Sequence, residues 1–260
     1  MAELLLFDEI VFGPVHSRRL GVSLGINLLP PDGKLCLFDC IYCECGLNEN
    51  RRTHTHIPTR EVVREALRDK LEKMKADGVA PDVITFAGNG EPTVHPRFEE
   101  IIDDTIALRD SMFPDAKVAV LSGATMIGKE SVFRALNKVD DNILKFDSVL
   151  DSRIKELNAP VSPDFNFAWL MEHFCRFKGN LMIQTMFLEG EYNGKSVANT
   201  TEEEISGWVE ALKKINPKQV MIYTIDRETP VKGLKKASKE TLDGIAERVR
   251  KEGLPVSVSY

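Results

Sequence analysis

Four of the five cysteines in this amino-acid sequence are crowded into one short stretch, and their spacing suits metal binding. Cys36, Cys40 and Cys43 are separated by three and then two residues, and Cys45 follows closely. Because a disulfide framework would spread its cysteines along the chain, this crowding indicates metal or redox chemistry. A loop with this spacing can curl around a four-iron, four-sulfur cluster, and three thiolates leave the fourth iron open to a ligand.

Two other kinds of site fit the same stretch. A structural zinc site needs four ligands, and Cys45, His54 or His56 could supply the fourth. A cluster that only transfers electrons is the second alternative. Cys45 is one residue beyond Cys43 and would strain to reach the same cluster, so we expect it not to be a ligand. Cys175 stands alone in an apolar segment, where we expect a small buried hydrophobic residue.

The elements that must position this loop alternate between strand and helix. Apolar runs predict six strands, at 20–28, 83–86, 117–121, 143–146, 181–187 and 219–224. Amphipathic stretches predict helices at 59–76, 96–112, 129–136, 167–177, 201–215 and 238–251. Thr201 and Glu204 form a predicted capping box, 30–58 is a long loop, and 255–260 is a last extended segment. This order predicts an α/β fold with a parallel sheet, either an incomplete barrel or a doubly wound sheet, with its chemistry at the carboxyl ends of the strands.

Residues that could contact a ligand stand at the ends of the predicted strands. They are Gly90, Glu91 and Pro92 after the second strand, Ser122 at the third, Lys145 and Asp147 at the fourth, Gln184 in the fifth, and Tyr223, Asp226 and Arg227 at and beyond the sixth. Glycines allow a tight turn and a close backbone approach, and Glu91 offers a carboxylate to an ammonium group. Structural alternatives stay open: an ordinary turn at Gly90, a helix entry at Ser122, a salt bridge at Lys145 and a buried polar group at Gln184.

Composition and charge place few limits on the substrate. The net charge of −6 gives no general attraction to nucleic acid. Basic residues would favour an anionic substrate if they converged over the strand ends. They are Arg18, Arg19, Arg51, Arg52, Lys232, Lys235, Lys236 and Lys239. The N-terminus lacks a signal-peptide pattern and no run of about 18 apolar residues occurs, so we expect a cytoplasmic protein without a membrane partner.

The cysteine spacing, with the aromatic Tyr42 just before the last cysteine, resembles the signature of radical S-adenosylmethionine (radical SAM) enzymes. Two stretches narrow the resemblance, GPVHSRRLGVSLGIN at 13–27 and FDCIYC at 38–43. Both are similar to a subgroup of iron–sulfur oxidoreductases related to the wybutosine-synthesis enzymes of tRNA modification. The resemblance extends over nearly the whole chain.

The resemblance implies a single domain, 1–260, built on a partial (β/α)6 TIM-like barrel. The barrel core would span 20–226 with the cysteine loop after its first strand, preceded by an extension at 1–19 and followed by a helix and tail at 227–260. Cys36, Cys40 and Cys43 would hold a 4Fe-4S cluster whose free iron binds the methionine part of S-adenosylmethionine. An electron from the cluster would cleave this cofactor to a 5′-deoxyadenosyl radical, which abstracts a hydrogen atom from the substrate.

The resemblance also assigns roles to the residues at the strand ends. Gly90, Glu91 and Pro92 match the family's Gly-Gly-Glu motif, although Asn89 stands where its first glycine would be. The adenine would be lined by Tyr42 and Tyr223. The rest of the cofactor site would be formed by Ser122, Lys145, Asp147 and Gln184. The substrate would be faced by Asp226 and Arg227. A flavodoxin or ferredoxin would supply electrons. The substrate class stays open between a tRNA base, a glycyl-radical enzyme to be activated and a small metabolite. A non-catalytic iron–sulfur or zinc protein is the alternative function.

Overall fold

A computed structural model describes residues 5–17, 20–48 and 55–260 of the chain. The strands are β1 Val11–Ser17, β2 Gly21–Ile26, β3 Val83–Phe86, β4 Lys117–Ser122, β5 Asp141–Lys145, β6 Met182–Met186, β7 Leu188–Tyr192, β8 Lys195–Ser196, β9 Gln219–Tyr223, β10 Leu234–Lys236 and β11 Val256–Ser259. The helices are α1 Arg60–Ala76, α2 Phe98–Met112, α3 Glu130–Lys138, α4 Asp151–Asn158, α5 Phe167–Arg176, α6 Glu202–Ile215 and α7 Lys239–Lys251. A 3-10 turn at Pro92–Val94 lies between β3 and α2.

The main sheet has eight strands in the order β1-β2-β3-β4-β5-β6-β9-β11. Every neighbouring pair is parallel except β1 and β2, which are antiparallel. The six predicted strands are β2, β3, β4, β5, β6 and β9, so the α/β prediction with a largely parallel sheet is confirmed. The chain has one strand before them, and the cysteine loop therefore follows the second strand of the chain rather than the first.

Among the described residues, five helices and strands lie where the sequence predicted none, namely β1, α4, β7, β8 and β10. The helix α4 has only Ile154 and Leu157 as buried apolar residues, which is too short a stripe to read as an amphipathic helix. The strands β7, β8 and β10 form a separate three-stranded sheet beyond the carboxyl ends of β6 and β9. The predicted extended segment near the C-terminus is β11, which pairs with β9 at the edge of the main sheet.

The inner face of the sheet changes from apolar to polar along the strands. Val83, Ala119, Ile143 and Met221 form a small buried cluster on this face. Because side chains alternate along a strand, the residue two positions further on points the same way. Lys145 is two positions beyond Ile143, and Tyr223 is two positions beyond Met221. Polar side chains therefore face inward where these strands end. The opposite face packs against the helices in a much larger apolar core.

The predicted capping box at the start of α6 forms only in half. The Thr201 hydroxyl accepts a hydrogen bond from the backbone N–H of Glu204 at 3.4 Å, as predicted. The Glu204 carboxylate does not complete the box, because it is buried and accepts from the Ser148 hydroxyl at 2.7 Å and the Val149 N–H at 3.2 Å. Glu204 therefore fixes the segment that follows β5, which carries Asp147.

In the described part of the chain, no helix is both long and apolar enough to cross a bilayer.

Replacing Glu204 with alanine should lower the free energy of unfolding by about 1–3 kcal/mol, because Ser148 and Val149 would lose their buried acceptor. Urea unfolding measures this loss. The matched control is Glu203→Ala, in the same helical turn but exposed, which should change stability by less than about 0.5 kcal/mol. Equal losses in the two variants would show that the Glu204 contacts contribute nothing.

Candidate active site

The backbone of the cysteine loop is hydrogen bonded to the C-terminal end of α4. The N–H of Asp39 donates to the carbonyl of Asn158 at 2.8 Å, and the N–H of Ile41 donates to the carbonyl of Leu157 at 3.0 Å. The last carbonyls of a helix have no partners within the helix, so they are free to accept from a neighbouring loop. These two bonds hold the loop on either side of Cys40.

A second set of backbone bonds joins the start of the cysteine loop to the turn after β3. The N–H of Leu35 donates to the carbonyl of Asn89 at 2.9 Å, and the N–H of Glu91 donates to the carbonyl of Leu35 at 3.0 Å. Gly90 lies between these bonds, and a Cβ at this position would be only 2.0 Å from the Leu35 carbonyl oxygen. The close backbone approach observed at Gly90 is therefore made to the cysteine loop, and the predicted approach to a ligand stays a prediction.

Asn89 uses its side chain to hold the N-terminal segment. Its Oδ1 accepts from the N–H of Phe7 at 2.8 Å, and its Nδ2 donates to the carbonyls of Phe7 at 2.8 Å and Pro30 at 2.9 Å. Two residues before Phe7, the N–H of Leu5 donates to the carbonyl of Glu44 in the cysteine loop at 2.9 Å. The residue that departs from the Gly-Gly-Glu pattern thus has a structural role that glycine lacks.

The thiols of the loop are held in different surroundings. Cys40 and Cys45 are buried, whereas Cys36 and Cys43 are half-buried. Burial raises the pKa of the Cys36 and Cys40 thiols. The hydrogen bond that Cys43 shares with Cys45 lowers the pKa of Cys43. Cys45 also lies 3.6 Å from the carbonyl oxygen of Gly88.

A buried lysine provides positive charge beside these thiols. The Lys34 side chain is 1% exposed, and its ammonium donates to the carbonyl of Gly46 at 2.7 Å and to Asp39 at 3.4 Å. Burial alone would lower the pKa of Lys34, but the negative charges of Cys43 and the other thiolates outweigh it and raise the pKa. The protonated, positively charged form of Lys34 is therefore favoured when the neighbouring cysteines are thiolates.

Tyr42, Lys145 and Asp147 form one buried polar network, as their predicted convergence requires. The Tyr42 hydroxyl donates to the Asp147 carboxylate and accepts from the Lys145 ammonium at 2.8 Å. Lys145 is also 3.5 Å from Asp147, whose other oxygen accepts from the N–H of Met186 at 3.0 Å. Although burial opposes charge on Lys145, the anionic Asp147 raises its pKa. Gln184 lies beside Lys145 on the next strand.

Glu91 and Ser122 form a second buried group. The Ser122 hydroxyl and the Gly123 N–H donate to the Glu91 carboxylate at 2.9 and 2.6 Å. Thr93 adds its N–H at 3.1 Å and its hydroxyl at 2.5 Å. Burial raises the pKa of Glu91. The carboxylate thus braces the turns after β3 and β4, and its contact with an ammonium group stays a prediction.

The residues beyond β9 have partners that the sequence did not predict. Arg227 donates to Glu44 of the cysteine loop at 2.9 Å, rather than pairing with its sequence neighbours. Asp226 lies 3.9 Å from Lys236. Lys235 stands opposite Glu189 in the pairing of β10 with β7. Two lysines of the predicted basic surface therefore face acidic neighbours. Arg18, Arg19, Arg51, Arg52 and the alternative zinc ligand His54 lie outside the described residues.

The prediction that Cys175 is buried is wrong, because its side chain is exposed. Leu170 and Phe174 are the buried residues of α5. Cys175 is the next residue along the helix, so its side chain points about 100° away from this buried face.

In the described ranges, no three His, Cys, Asp or Glu side chains lie close enough together to hold a single metal ion. In a 4Fe-4S cubane, by contrast, each cysteine ligand binds a separate iron.

Two residues of the site were not predicted. Lys34 precedes the cysteines in a stretch whose pattern indicates only a polar loop. Asn158 donates from its side chain to the Cys40 sulfur at 3.4 Å, across a sequence separation of 118 residues. The only signal that could have found Lys34 was its position two residues before Cys36, and no local pattern points to Asn158.

Several sequence relatives of the chain carry the name UPF0026 protein. It is 31% identical over 243 residues to a UPF0026 protein of Methanocaldococcus jannaschii, covering 91% of this chain and 70% of that protein. No family model matches the chain.

Several solved structures share the fold. A radical SAM methyltransferase from Sphaerobacter thermophilus matches with a TM-score of 0.66 at 12% identity, covering 92% of this chain and 66% of the other. SuiB of Streptococcus suis bound to S-adenosylmethionine matches with a TM-score of 0.63 at 15% identity, covering 88% of this chain. This chain spans about half the length of SuiB, 49%. At these identities the matches establish the fold alone, and it is the partial barrel predicted from the sequence.

Replacing Gly90 with alanine should release the cysteine loop from the turn after β3, because the new Cβ would overlap the Leu35 carbonyl. We expect a loss of at least about 2 kcal/mol in unfolding free energy and faster alkylation of the loop cysteines. The control is Gly78→Ala, which also has positive φ but has nothing within 4 Å of its added Cβ. It should cost only about 1 kcal/mol and leave alkylation unchanged. Unchanged alkylation in Gly90→Ala would contradict this role.

Proposed function

The chain belongs to the UPF0026 family, and we propose that it is a radical SAM enzyme that cleaves S-adenosylmethionine reductively at a 4Fe-4S cluster. The observation that carries the proposal is the fixed cysteine loop at the carboxyl ends of the strands, beside the buried Tyr42–Lys145–Asp147 network. The bound cluster would supply the electron, and the resulting 5′-deoxyadenosyl radical would abstract hydrogen from a substrate.

The chemistry of the cysteine loop fits such a cluster. Thiolates are the usual ligands of iron–sulfur clusters, and three of them leave one iron open. Cys36, Cys40 and Cys43 would be the ligands. N–H groups from Phe38 and Asn158 already point at the Cys36 and Cys40 sulfurs, each at 3.4 Å. These donors and the buried Lys34 would stabilise negative charge on the cluster ligands.

The strand ends fit a polar cofactor with both charged and hydroxyl groups. The Thr125 hydroxyl is buried and has no hydrogen-bond partner among the described residues, which a polar ligand beside the Ser122 turn would remedy. Lys145 and Asp147 offer a cation and a carboxylate in a nearly water-free place. We assign the cofactor to the following residues: Tyr42, Gly90, Glu91, Pro92, Ser122, Lys145, Asp147, Gln184 and Tyr223.

The substrate would approach beyond β9, where Asp226 and Arg227 are partly exposed. Arg227 is a planar, permanently charged donor suited to a carboxylate or phosphate, and an anionic substrate would compete with Glu44 for it. A tRNA base, a glycyl-radical enzyme and a small metabolite all stay within the proposal. The electron donor would be a flavodoxin or ferredoxin in the cytoplasm.

A non-catalytic zinc or iron–sulfur protein is the competing function. It accounts for the cysteines but gives no reason for the polar groups at the strand ends. Zinc would require a fourth ligand such as Cys45 or His56. One zinc per chain in protein purified without oxygen would favour this function over ours.

Replacing Cys40 with alanine should abolish cluster binding, because one of three protein ligands is lost. Iron content and the EPR signal of the reduced, anaerobically reconstituted protein measure the effect. The controls are Cys45→Ala and the exposed Cys175→Ala, which should both retain the iron of the wild type. Full iron retention in Cys40→Ala would contradict the proposal that Cys40 is a ligand of the cluster.

The reconstituted protein should release 5′-deoxyadenosine from S-adenosylmethionine when dithionite is added, even without its substrate.

Glu91→Ala should weaken S-adenosylmethionine binding roughly ten- to hundredfold while leaving iron content unchanged. The variant loses the carboxylate that holds the turns after β3 and β4 together, and with it the proposed charged contact to the cofactor. Titration calorimetry measures the affinity. The control Glu99→Ala changes a carboxylate on the surface of α2 that pairs with Arg134, and should leave affinity unchanged. An unaltered affinity in Glu91→Ala would remove this residue from the cofactor site.

A further inference from the structure

Asn158 is the last residue of α4, and its buried side chain reaches the candidate cluster ligand Cys40. Its Nδ2 lies 3.4 Å from the Cys40 sulfur, and both side chains are buried. No other side chain donates to this sulfur among the contacts of the described residues. The pair is thus a buried hydrogen bond between an amide N–H and a cysteine sulfur.

The backbone holds Asn158 in this position. Its carbonyl accepts from Asp39, and the carbonyl of Leu157 accepts from Ile41, so the residues flanking Cys40 are bonded to the same helix end. The next residue, Ala159, has left-handed backbone angles and ends the helix there. The backbone of Asn158 is therefore fixed beside the segment of the loop that carries Cys40.

The amide group has more acceptors than hydrogens. Besides Cys40, Nδ2 lies 2.9 Å from Asp147 Oδ2 and 3.1 Å from the Tyr42 hydroxyl. An amide has two hydrogens, so three acceptors must share them. Asn158 thereby connects the thiol of the cysteine loop to the polar network at the end of β5.

We propose that Asn158 is a positioning residue that raises the reduction potential of the cluster through its N–H···S bond to Cys40. The inference rests on the proposed function. A donor to a ligand sulfur stabilises negative charge, and the reduced cluster carries one more electron than the oxidised cluster. The bond therefore favours reduction, on which cleavage of S-adenosylmethionine depends. The rival explanation is that Asn158 only ends α4 and supports the loop.

The test is an EPR redox titration of the reconstituted protein without S-adenosylmethionine. Asn158→Leu keeps the approximate volume and removes the donor. It should lower the ratio of reduced to oxidised cluster at a fixed potential by about two- to tenfold. Tenfold corresponds to about 59 mV for a one-electron couple. Asn158→Asp keeps the shape without an N–H donor and should also shift the midpoint downward.

The control is Asn142→Leu, which removes a buried asparagine at the opposite end of β5 and should leave the midpoint unchanged. An unchanged midpoint in Asn158→Leu with full iron content would overturn the proposal. Loss of iron from both Asn158 variants would also overturn it and assign the residue to loop support. Wild-type protein that binds no cluster, or does not cleave S-adenosylmethionine, would instead refute the proposed function itself.

Discussion

The cysteine loop has almost no helix or strand of its own, and its shape depends on backbone hydrogen bonds to two neighbouring elements. The C-terminal end of α4 accepts from Asp39 and Ile41, and the turn at Gly90 pairs with Leu35. Buried backbone groups must be paired, so these bonds leave the loop few alternative shapes. Both neighbours follow parallel strands, α4 after β5 and the Gly90 turn after β3. The cysteine loop is therefore bonded to segments that the main sheet holds in place.

Charge compensation is the second constraint on this end of the sheet. Two lysines, the buried Lys34 and the half-buried Lys145, stand among thiols and carboxylates that would be costly to bury alone. The Glu91 carboxylate accepts from four hydrogen-bond donors. Each anion is therefore balanced locally, and a ligand entering here meets donors and acceptors that are already oriented.

The sequence predicted the elements with strong local patterns and missed those that depend on distant contacts. The six parallel strands are continuous apolar runs, and Thr201 caps its helix as expected. The helix α4 is short and polar, so it was missed, and with it the residue that reaches Cys40. Glu204 followed its capping pattern only in part, because a buried serine competed for its carboxylate.

The convergence of Tyr42, Lys145 and Asp147 could be predicted because parallel strands end at one edge of a sheet. Their actual partners could not, since Asn158 and Arg227 meet the cysteine loop from more than 100 residues away. Asn89 shows the same limit. Its departure from the motif was visible in the sequence, but its reason is a backbone segment near Phe7.

The small sheet of β7, β8 and β10 stands on the ends of β6 and β9 and contributes no strand to the main sheet. It is held by backbone pairing, which tolerates many side chains. Substitutions can therefore accumulate at its exposed positions, such as Glu191 and Lys195, whereas Leu188 is fully buried in the main core and is constrained. Natural selection can therefore change the surface of the small sheet, which borders the carboxyl ends of the strands, while the cysteine loop and its polar neighbours are inherited unchanged.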